Sequence, residues 1–321
     1  MKRIGILTSG GDAPGMNAAI RAVVRAGLSY GLEVYGIYNG YRGLIEKDFE
    51  AMNRHSVSDI VSRGGTILRT ARLPEFKELD VQKQAVKNLR REGIEALVVI
   101  GGDGTYRGAY DLTKLGINCI ALPGTIDNDV SSTDFTIGFD TALNTIIDAV
   151  DKIRDTTESH SRCSIVEVMG NHCGDLALYA GIASGAEIIV TPELRPADEE
   201  IFAYLKKLKA NDADRRAIMV VSEKLYPDIH EFAKRVEEET GFTTRATVLG
   251  YIQRGGAPSA NDRILGGRMG AFAVDLLMQG KGGEAVGIRG TTLVATPIQE
   301  ALAMKKRFDE TMRNVVHQIN N

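Results

Sequence analysis

Cysteine is scarce: the 321-residue chain carries three, Cys119, Cys163 and Cys173. The number is odd and no CxxC spacing occurs, which argues against a disulfide framework and a thiolate zinc site. No run of about 18 apolar residues is present, so no membrane-spanning helix is expected. Charge of one sign is lacking too. Thirty-nine basic residues face 42 acidic ones for a net −3, which gives no global reason to expect nucleic acid or a membrane as partner. The opening Met-Lys-Arg-Ile-Gly-Ile-Leu-Thr runs directly into a strand pattern and not into the apolar segment and cleavage site of a signal peptide. A cytoplasmic protein is expected. Low-complexity linkers and repeats of about 20–50 residues are missing as well, which leaves composition with little to say about domain boundaries.

What is present reads as an ordinary globular chain, with 43% hydrophobic and 25% charged residues, long enough for about two domains. Glycine stands out at 35 of 321, about 11% against a usual ~7%. The excess follows apolar runs, as though something approaches the backbone closely there. Short β-branched runs alternate with amphipathic stretches. Strands are expected over Arg3–Thr8, Val34–Tyr38, Ala96–Ile100, Cys119–Leu122, Ser164–Met169, Glu187–Thr191, Ala217–Ser222 and Ala246–Tyr251. They are apolar on both faces, as strands covered by helices on each side must be. The clearest helix covers Thr141–Ile153, with Leu143, Ile146, Ile147, Val150 and Ile153 on one stripe and Asp148, Asp151 and Lys152 turned away. Glu284–Ala295 reads as a hairpin and Ile298–Ile319 as a closing helix. Strand–helix alternation implies parallel sheets with right-handed crossovers.

Three glycine-rich segments carry the chemistry. Ser9-Gly10-Gly11-Asp12-Ala13-Pro14-Gly15 lies between a strand and a helix expected to start near Met16, where backbone N–H groups and a helix N-terminus attract anions. Gly10 and Gly15 have the spacing of a P-loop, but Met16-Asn17 stands where Lys-Ser/Thr is required, so this is no P-loop NTPase. Gly101-Gly102-Asp103-Gly104-Thr105 follows another strand, at the carboxyl end where open α/β sheets bind ligands. Asp103 suits a hard cation carrying nucleotide phosphates, or else caps the next helix. Pro123-Gly124-Thr125-Ile126-Asp127-Asn128-Asp129 follows a third. If this segment is extended, Asp127 and Asp129 share a face, one as general base and the other as a metal or water anchor. An Asx-rich turn is the alternative.

The strings LTSGGDAPGMNAAIR, VVIGGDGT, PGTIDND, TIGFDTALN, DKIRDT and QRGG, in this order, resemble the ATP-dependent bacterial 6-phosphofructokinases over about residues 2–287. That resemblance implies two Rossmann-like three-layer α/β domains with mainly parallel sheets. An ATP-binding domain would cover 1–138 plus about 256–304, and a sugar-phosphate domain 139–255 plus about 305–321. It implies a homotetramer that phosphorylates fructose 6-phosphate at its 1-hydroxyl, a committed step of glycolysis. ATP would lie on Gly11, Arg72, Leu73, Gly102, Asp103, Gly104 and Thr105, with Asp103 serving Mg²⁺. Asp127 would be the base, helped by Thr125 and Asp129. Fructose 6-phosphate would meet Thr125, Ile126, Asp127, Met169, Gly170, Asn171, Glu223, Tyr251 and Arg254. Arg162 and Arg245 would reach its 6-phosphate from a neighbouring subunit, as planar guanidinium forks suit phosphate.

The chain departs from the family pattern at Asn171, where arginine is common, and at Tyr251, where histidine is frequent. Asn171 supplies no positive charge to a transferring phosphoryl group. His160 and His172 read as surface or structural residues. The resemblance further implies an effector site for ADP or phosphoenolpyruvate from Arg21, Arg25, Arg54, Asp59, Arg154, Gly185, Glu187 and Arg215. The stretch Lys209–Arg216 is one residue longer than usual. Two rival readings are a pyrophosphate-dependent phosphofructokinase and a catalytically weak nucleotide sensor. Pyrophosphate-dependent relatives tend to carry aspartate where this chain has Gly104 and lysine where it has Gly124, and two glycines are expected to leave open room for a nucleotide. A pure sensor would not need the base.

Overall fold

The computed structural model describes residues 1–210, 216–305 and 310–319. The chain divides into two compact units, residues 1–141 with 254–306 and residues 142–253 with 307–321.

The first unit starts with β1 (Arg3–Thr8), α1 (Met16–Ser29), β2 (Glu33–Ile37), α2 (Tyr41–Glu46) and β3 (Phe49–Met52). It continues with α3 (Leu79–Arg91), β4 (Ala96–Gly101), α4 (Asp103–Lys114) and β5 (Asn118–Pro123). Helix α5 (Phe139–Ser159) carries the chain into the second unit, made of β6 (Cys163–Val168), α6 (Asp175–Ser184), β7 (Ile188–Val190), α7 (Asp198–Ala210), β8 (Ala217–Ser222), α8 (Ile229–Thr240) and β9 (Thr244–Val248). The chain then returns to the first unit through α9 (Ala260–Met278), β10 (Glu284–Arg289), β11 (Thr292–Pro297) and α10 (Ile298–Ala303), and α11 (Glu310–Ile319) follows.

The first unit's sheet has the order β11-β10-β5-β4-β1-β2-β3, parallel from β10 to β2 with an antiparallel strand at each edge. The second is four-stranded and parallel throughout, β7-β8-β6-β9. Central strands read as unbroken apolar runs because both faces are covered. All six residues of β4 and of β8 are buried. One face of the large sheet packs Leu7, Val99 and Ala121 against Leu89 of α3 and Leu112 of α4. On α1 and α9, small residues let the backbones meet: a Cβ added at Gly270 would lie 2.7 Å from Ala19 O. In the second unit Tyr226 stacks on Phe232 at 3.8 Å over a core that includes Met219 and Val221.

The expected strands all exist, most of them shifted by one or two residues. Two expectations need correction, and one strand was not foreseen. β9 ends at Val248, and Gly250–Arg254 forms a 3-10 turn, with Gly250 in a left-handed conformation that a strand cannot hold. The terminal stretch contains two helices, α10 and α11, not one, and residues 306–309 of that expectation lie outside the described residues. The sequence reading also missed β3, a four-residue edge strand with two exposed positions. Helix α5 keeps its expected stripe: Ile146 and Val150 are fully buried, while Asp148, Asp151 and Lys152 are exposed. No helix among the described residues is long and apolar enough to cross a membrane.

Candidate active site

Three loops leave the carboxyl ends of the adjacent strands β1, β4 and β5, and main-chain bonds stitch them together. Ser9 N donates to Ile100 O at 2.9 Å, and Gly124 N donates to Gly101 O at 3.1 Å. Thr105 Oγ1 donates to Ser9 O at 3.1 Å and Thr70 Oγ1 to Gly10 O at 2.8 Å. The chain needs glycine at 101, because a Cβ there would stand 2.3 Å from both Ser9 O and Thr105 Oγ1. Gly15 (φ 105°) adopts the left-handed conformation that starts α1. Met16 and Asn17, which displace the P-loop lysine and hydroxyl, are buried. Asn17 binds other backbone, its Nδ2 donating to Arg63 O and Gly64 O and its Oδ1 accepting from Ile67 N.

Around this frame the expected donor-binding residues fall into two groups. Gly11, Gly102, Asp103 and Gly104 face outward, and a Cβ at 102 or 104 would meet nothing within 4 Å. The guanidinium of Arg254 lies over Gly11, with Cζ, Nη1 and Nη2 each 3.6 Å from where a Cβ of residue 11 would stand. Arg72 is exposed while Leu73 packs onto the core. Thr105 is buried and already engaged, its hydroxyl donating to Ser9 O, its N–H to Gly102 O at 2.9 Å and its carbonyl accepting from the Tyr41 hydroxyl. Gly102 is the N-cap of α4, and Asp103 stands at the first helical position with no side-chain cap bond. The capping alternative for Asp103 is thus not what the fold uses. A carboxylate there is favoured by the helix dipole and exposed to solvent. Among the described residues no cluster of three or more His, Cys, Asp or Glu could hold a metal alone. One exposed carboxylate fits a hard cation that takes its other oxygens from nucleotide phosphates and water.

The third loop corrects the geometry expected for the two aspartates. The segment is not extended: Asn128 sits at φ 53°, so strand alternation does not put Asp127 and Asp129 on one face. Asn128, buried, pins the turn, its Oδ1 accepting from Thr136 N at 3.0 Å and its Nδ2 donating to Asp134 O at 3.2 Å. Asp127 N donates to Thr125 Oγ1 at 3.2 Å, a hydroxyl-closed turn that puts threonine and aspartate together. Asp127 and Asp129 are half-buried, each with Oδ1 shielded from solvent. Ile126 is 2% exposed, so its side chain is core. Gly124 overturns the open-space expectation, since a Cβ there would lie 2.7 Å from Ile100 Cγ2 and 3.0 Å from Met16 Cε. Of these two positions, Gly104 alone has open room.

In the second unit, Met169, Gly170 and Asn171 follow β6, and Glu223 and Lys224 follow the neighbouring β8. Gly170 is required because a Cβ would stand 2.4 Å from Cys173 O. Asn171 N donates to Glu223 Oε1 at 2.8 Å and Met169 N to Gln253 Oε1 at 3.1 Å. Lys224 Nζ donates to Asn171 Oδ1. Neither the strand pattern nor the resemblance had singled out this lysine, and its position just after a buried strand is the signal that could have found it. A cleft of about 420 Å³ is lined by Glu167, Glu223, Lys224, Tyr226 and Asp228 among others. Burial first, then the neighbouring Glu223 carboxylate, raises the Glu167 pKa.

Arg162 and Arg245 are not brought to these residues. They sit at the amino-terminal ends of β6 and β9, the length of β6 away, or about 20 Å. Arg245 there pairs with Glu237 at 3.1 Å. Tyr251 is 79% exposed on the 3-10 turn. Of the expected effector residues, Arg154, Gly185 and Glu187 converge: Arg154 Nη2 donates to Ser184 O at 2.5 Å and Gly185 O at 3.0 Å, and Nη1 lies 3.7 Å from Glu187. Arg21 and Arg25 on α1 are half-buried, not on a fully solvated face, and Arg54 and Asp59 follow β3. Arg215 lies outside the described residues. His172 is exposed, and His160, also exposed, has Nδ1 2.9 Å from Thr156 O.

Comparison with known proteins gives one answer. The chain is 55% identical over 320 residues to an ATP-dependent 6-phosphofructokinase of Teredinibacter turnerae, covering 99% of each chain. It is 58% identical over 315 residues to one of Clostridium botulinum, covering 98% of each. The solved phosphofructokinase of Saccharomyces cerevisiae superposes with a TM-score of 0.88 at 36% identity, covering all of this chain and 47% of that one. The family profile described as phosphofructokinase matches residues 3–277, and with the stitched loops at the carboxyl ends of β1, β4 and β5 this shows that the chain belongs to the phosphofructokinase family.

Proposed function

We propose that this chain transfers the terminal phosphoryl group of ATP to the 1-hydroxyl of fructose 6-phosphate, a cytoplasmic glycolytic step. The observation that carries the reading is the loop triplet. It presents an exposed Asp103 at a helix start, open glycine positions beside it, and Asp127 on a turn closed by the Thr125 hydroxyl. Relatives above 50% identity named as ATP-dependent enzymes support the choice of donor.

The first unit binds the nucleotide on Gly11, Arg72, Leu73, Gly102, Asp103 and Gly104, with Thr105 holding the loop they stand on. Mg²⁺, held by Asp103 and the nucleotide's phosphates, would neutralise charge on the donor. Asp127 takes the proton of the 1-hydroxyl, while Thr125 and Asp129 fix the turn that aims it. Arg254, over Gly11, donates to an anion. Met169, Gly170, Asn171 and Glu223 hold the sugar phosphate, and Tyr251 offers a phenol to it. Arg162 and Arg245 act on the 6-phosphate bound by another copy of the chain in a homotetramer. Their place at the opposite end of the small sheet from Met169 and Glu223 supports that division. Arg21, Arg25, Arg54, Asp59, Arg154, Gly185 and Glu187 serve an effector site between subunits for ADP or phosphoenolpyruvate.

A coupled assay for fructose 1,6-bisphosphate, run with ATP and with pyrophosphate, tests the reading. Turnover with ATP and little with pyrophosphate is expected. Equal turnover with both overturns the donor assignment, and no product with either overturns the reaction.

A further inference from the structure

Two adjacent parallel strands of the second unit, β6 and β8, are each followed within three residues by one held in the left-handed region, Asn171 at φ 57° and Lys224 at φ 66°. Neither is glycine, and such conformations cost energy that persists only where the surroundings dictate them. The two are cross-linked. Asn171 N donates to Glu223 Oε1, and Lys224 Nζ donates back to Asn171 Oδ1. Three carboxylates, Glu167, Glu223 and Asp228, line the same cleft as Lys224. Yet among the described residues Lys224 makes no ion pair, and its ammonium rests on a neutral amide. Each carboxylate has its own circumstances. Glu223 accepts from Asn171, Asp228 caps α8 through His230 N and Glu231 N, and Glu167 is half-buried. An ammonium held by an amide keeps its full positive charge for a ligand, and it is held where parallel strands end, the side on which open α/β sheets bind ligands.

We infer that Lys224, presented by Asn171, is a phosphate-binding cation of this chain's reaction, restoring at the end of β6 a positive charge that asparagine itself does not supply. The inference rests on the proposed function. The ligand is a phosphate monoester or phosphoryl oxygen of the bound reactants, either the sugar's own phosphate or the group in transit.

The test compares wild type, Lys224→Met, Lys224→Arg, Asn171→Gly and the double variant Lys224→Met/Asn171→Gly in the ATP-coupled assay, each with a thermal melt. Glycine accepts the left-handed backbone of position 171 while removing the amide. Lys224→Met is expected to lower kcat/KM for fructose 6-phosphate about 10- to 100-fold, the worth of a hydrogen bond to a charged group. Its melting temperature should stay unchanged, and Lys224→Arg should recover most of the loss. Asn171→Gly should cost several-fold, and the double variant should be no worse than Lys224→Met, as two residues acting through one contact require. A loss confined to KM places the ammonium on the sugar's phosphate, and one confined to kcat on the moving phosphoryl group. Activity of Lys224→Met within twofold of wild type overturns the inference while leaving the proposed function standing. So does a loss that Lys224→Arg shares along with a lowered melting temperature, since that marks a structural tether. A wild type without turnover overturns both.

Discussion

Asp127 is the residue on which the proposed chemistry turns, and its amide bond to Thr125 Oγ1 makes its position a property of a short turn rather than of a strand. Asp127→Asn keeps the shape and the amide bond but cannot take a proton. Turnover should fall roughly 10²- to 10⁴-fold with nucleotide affinity and melting temperature nearly unchanged, as steady-state kinetics and nucleotide titration will show. Gly104 and Gly124 make a second pair of residue-scale tests, because their surroundings differ. Gly104→Asp enters open space in the first turn of α4, where a carboxylate is favoured. Its melting temperature should hold or rise while ATP turnover drops through repulsion with the phosphates. Gly124→Lys must push aside Ile100 and Met16. A loss of about 1–3 kcal/mol is expected from such overpacking, visible as a lowered midpoint in a denaturant titration.

At the scale of elements, α9 shows how one carboxylate can set a helix start and a distant loop together. Ser259 caps it by accepting from Asp262 N at 3.2 Å. Asp262, 1% exposed, accepts in turn from Gly138 N and Thr141 N at 2.8 Å each and from Thr141 Oγ1. Burial, the largest influence, raises its pKa against those bonds. The folded state therefore holds a proton there more tightly than the unfolded chain. Its contribution to stability is fully present below the unfolded-state pKa and is lost as pH rises through the folded-state value. Asp262→Asn should flatten that part of the stability–pH profile, and Asp262→Ala should cost about 2–5 kcal/mol by orphaning buried donors. Thermal melts across the acidic range measure both.

The same scale explains which elements are legible in the sequence alone. β1, β4, β5 and β8 were legible because burial on both faces writes an unbroken apolar run. β3 was not, since an edge strand of Phe-Glu-Ala-Met takes its identity from pairing with β2 rather than from its own side chains. The loops of the site were legible as glycine strings. Their internal geometry was not, because the left-handed turn at Asn128 depends on bonds to Asp134 and Thr136, six and eight residues on. For the same reason the partnership of Lys224 with Asn171, 53 positions apart, left no local trace.

For the whole molecule, the placement of Arg162 and Arg245 carries a prediction about assembly. If they serve another chain's sugar phosphate, Asp127→Asn and Arg162→Ala are defects in different halves of one site. Each variant alone should be severely impaired. Co-expressed, they should form mixed oligomers in which some sites receive an intact Asp127 from one chain and an intact Arg162 from another. Recovery of activity in the mixture above either parent is the expected result, and strict additivity of the two parents would show that each chain works alone.

The pairing of β10 with β5 bears on how the polypeptide is made. These neighbours in the first unit's sheet meet in parallel at Ile120 and Glu284, with residues 142–253 of the second unit encoded between them. At a ribosomal pace of about 5–20 residues per second, β5 waits roughly ten to thirty seconds for its partner after emerging from the exit tunnel. Throughout that interval a strand apolar from Cys119 to Pro123 has one open edge, the kind of surface that recruits a neighbouring nascent chain. Newly made copies on one polysome are therefore most exposed to mispairing late in synthesis, and slowing elongation within the second unit should lower the yield of soluble enzyme without altering the protein that does fold.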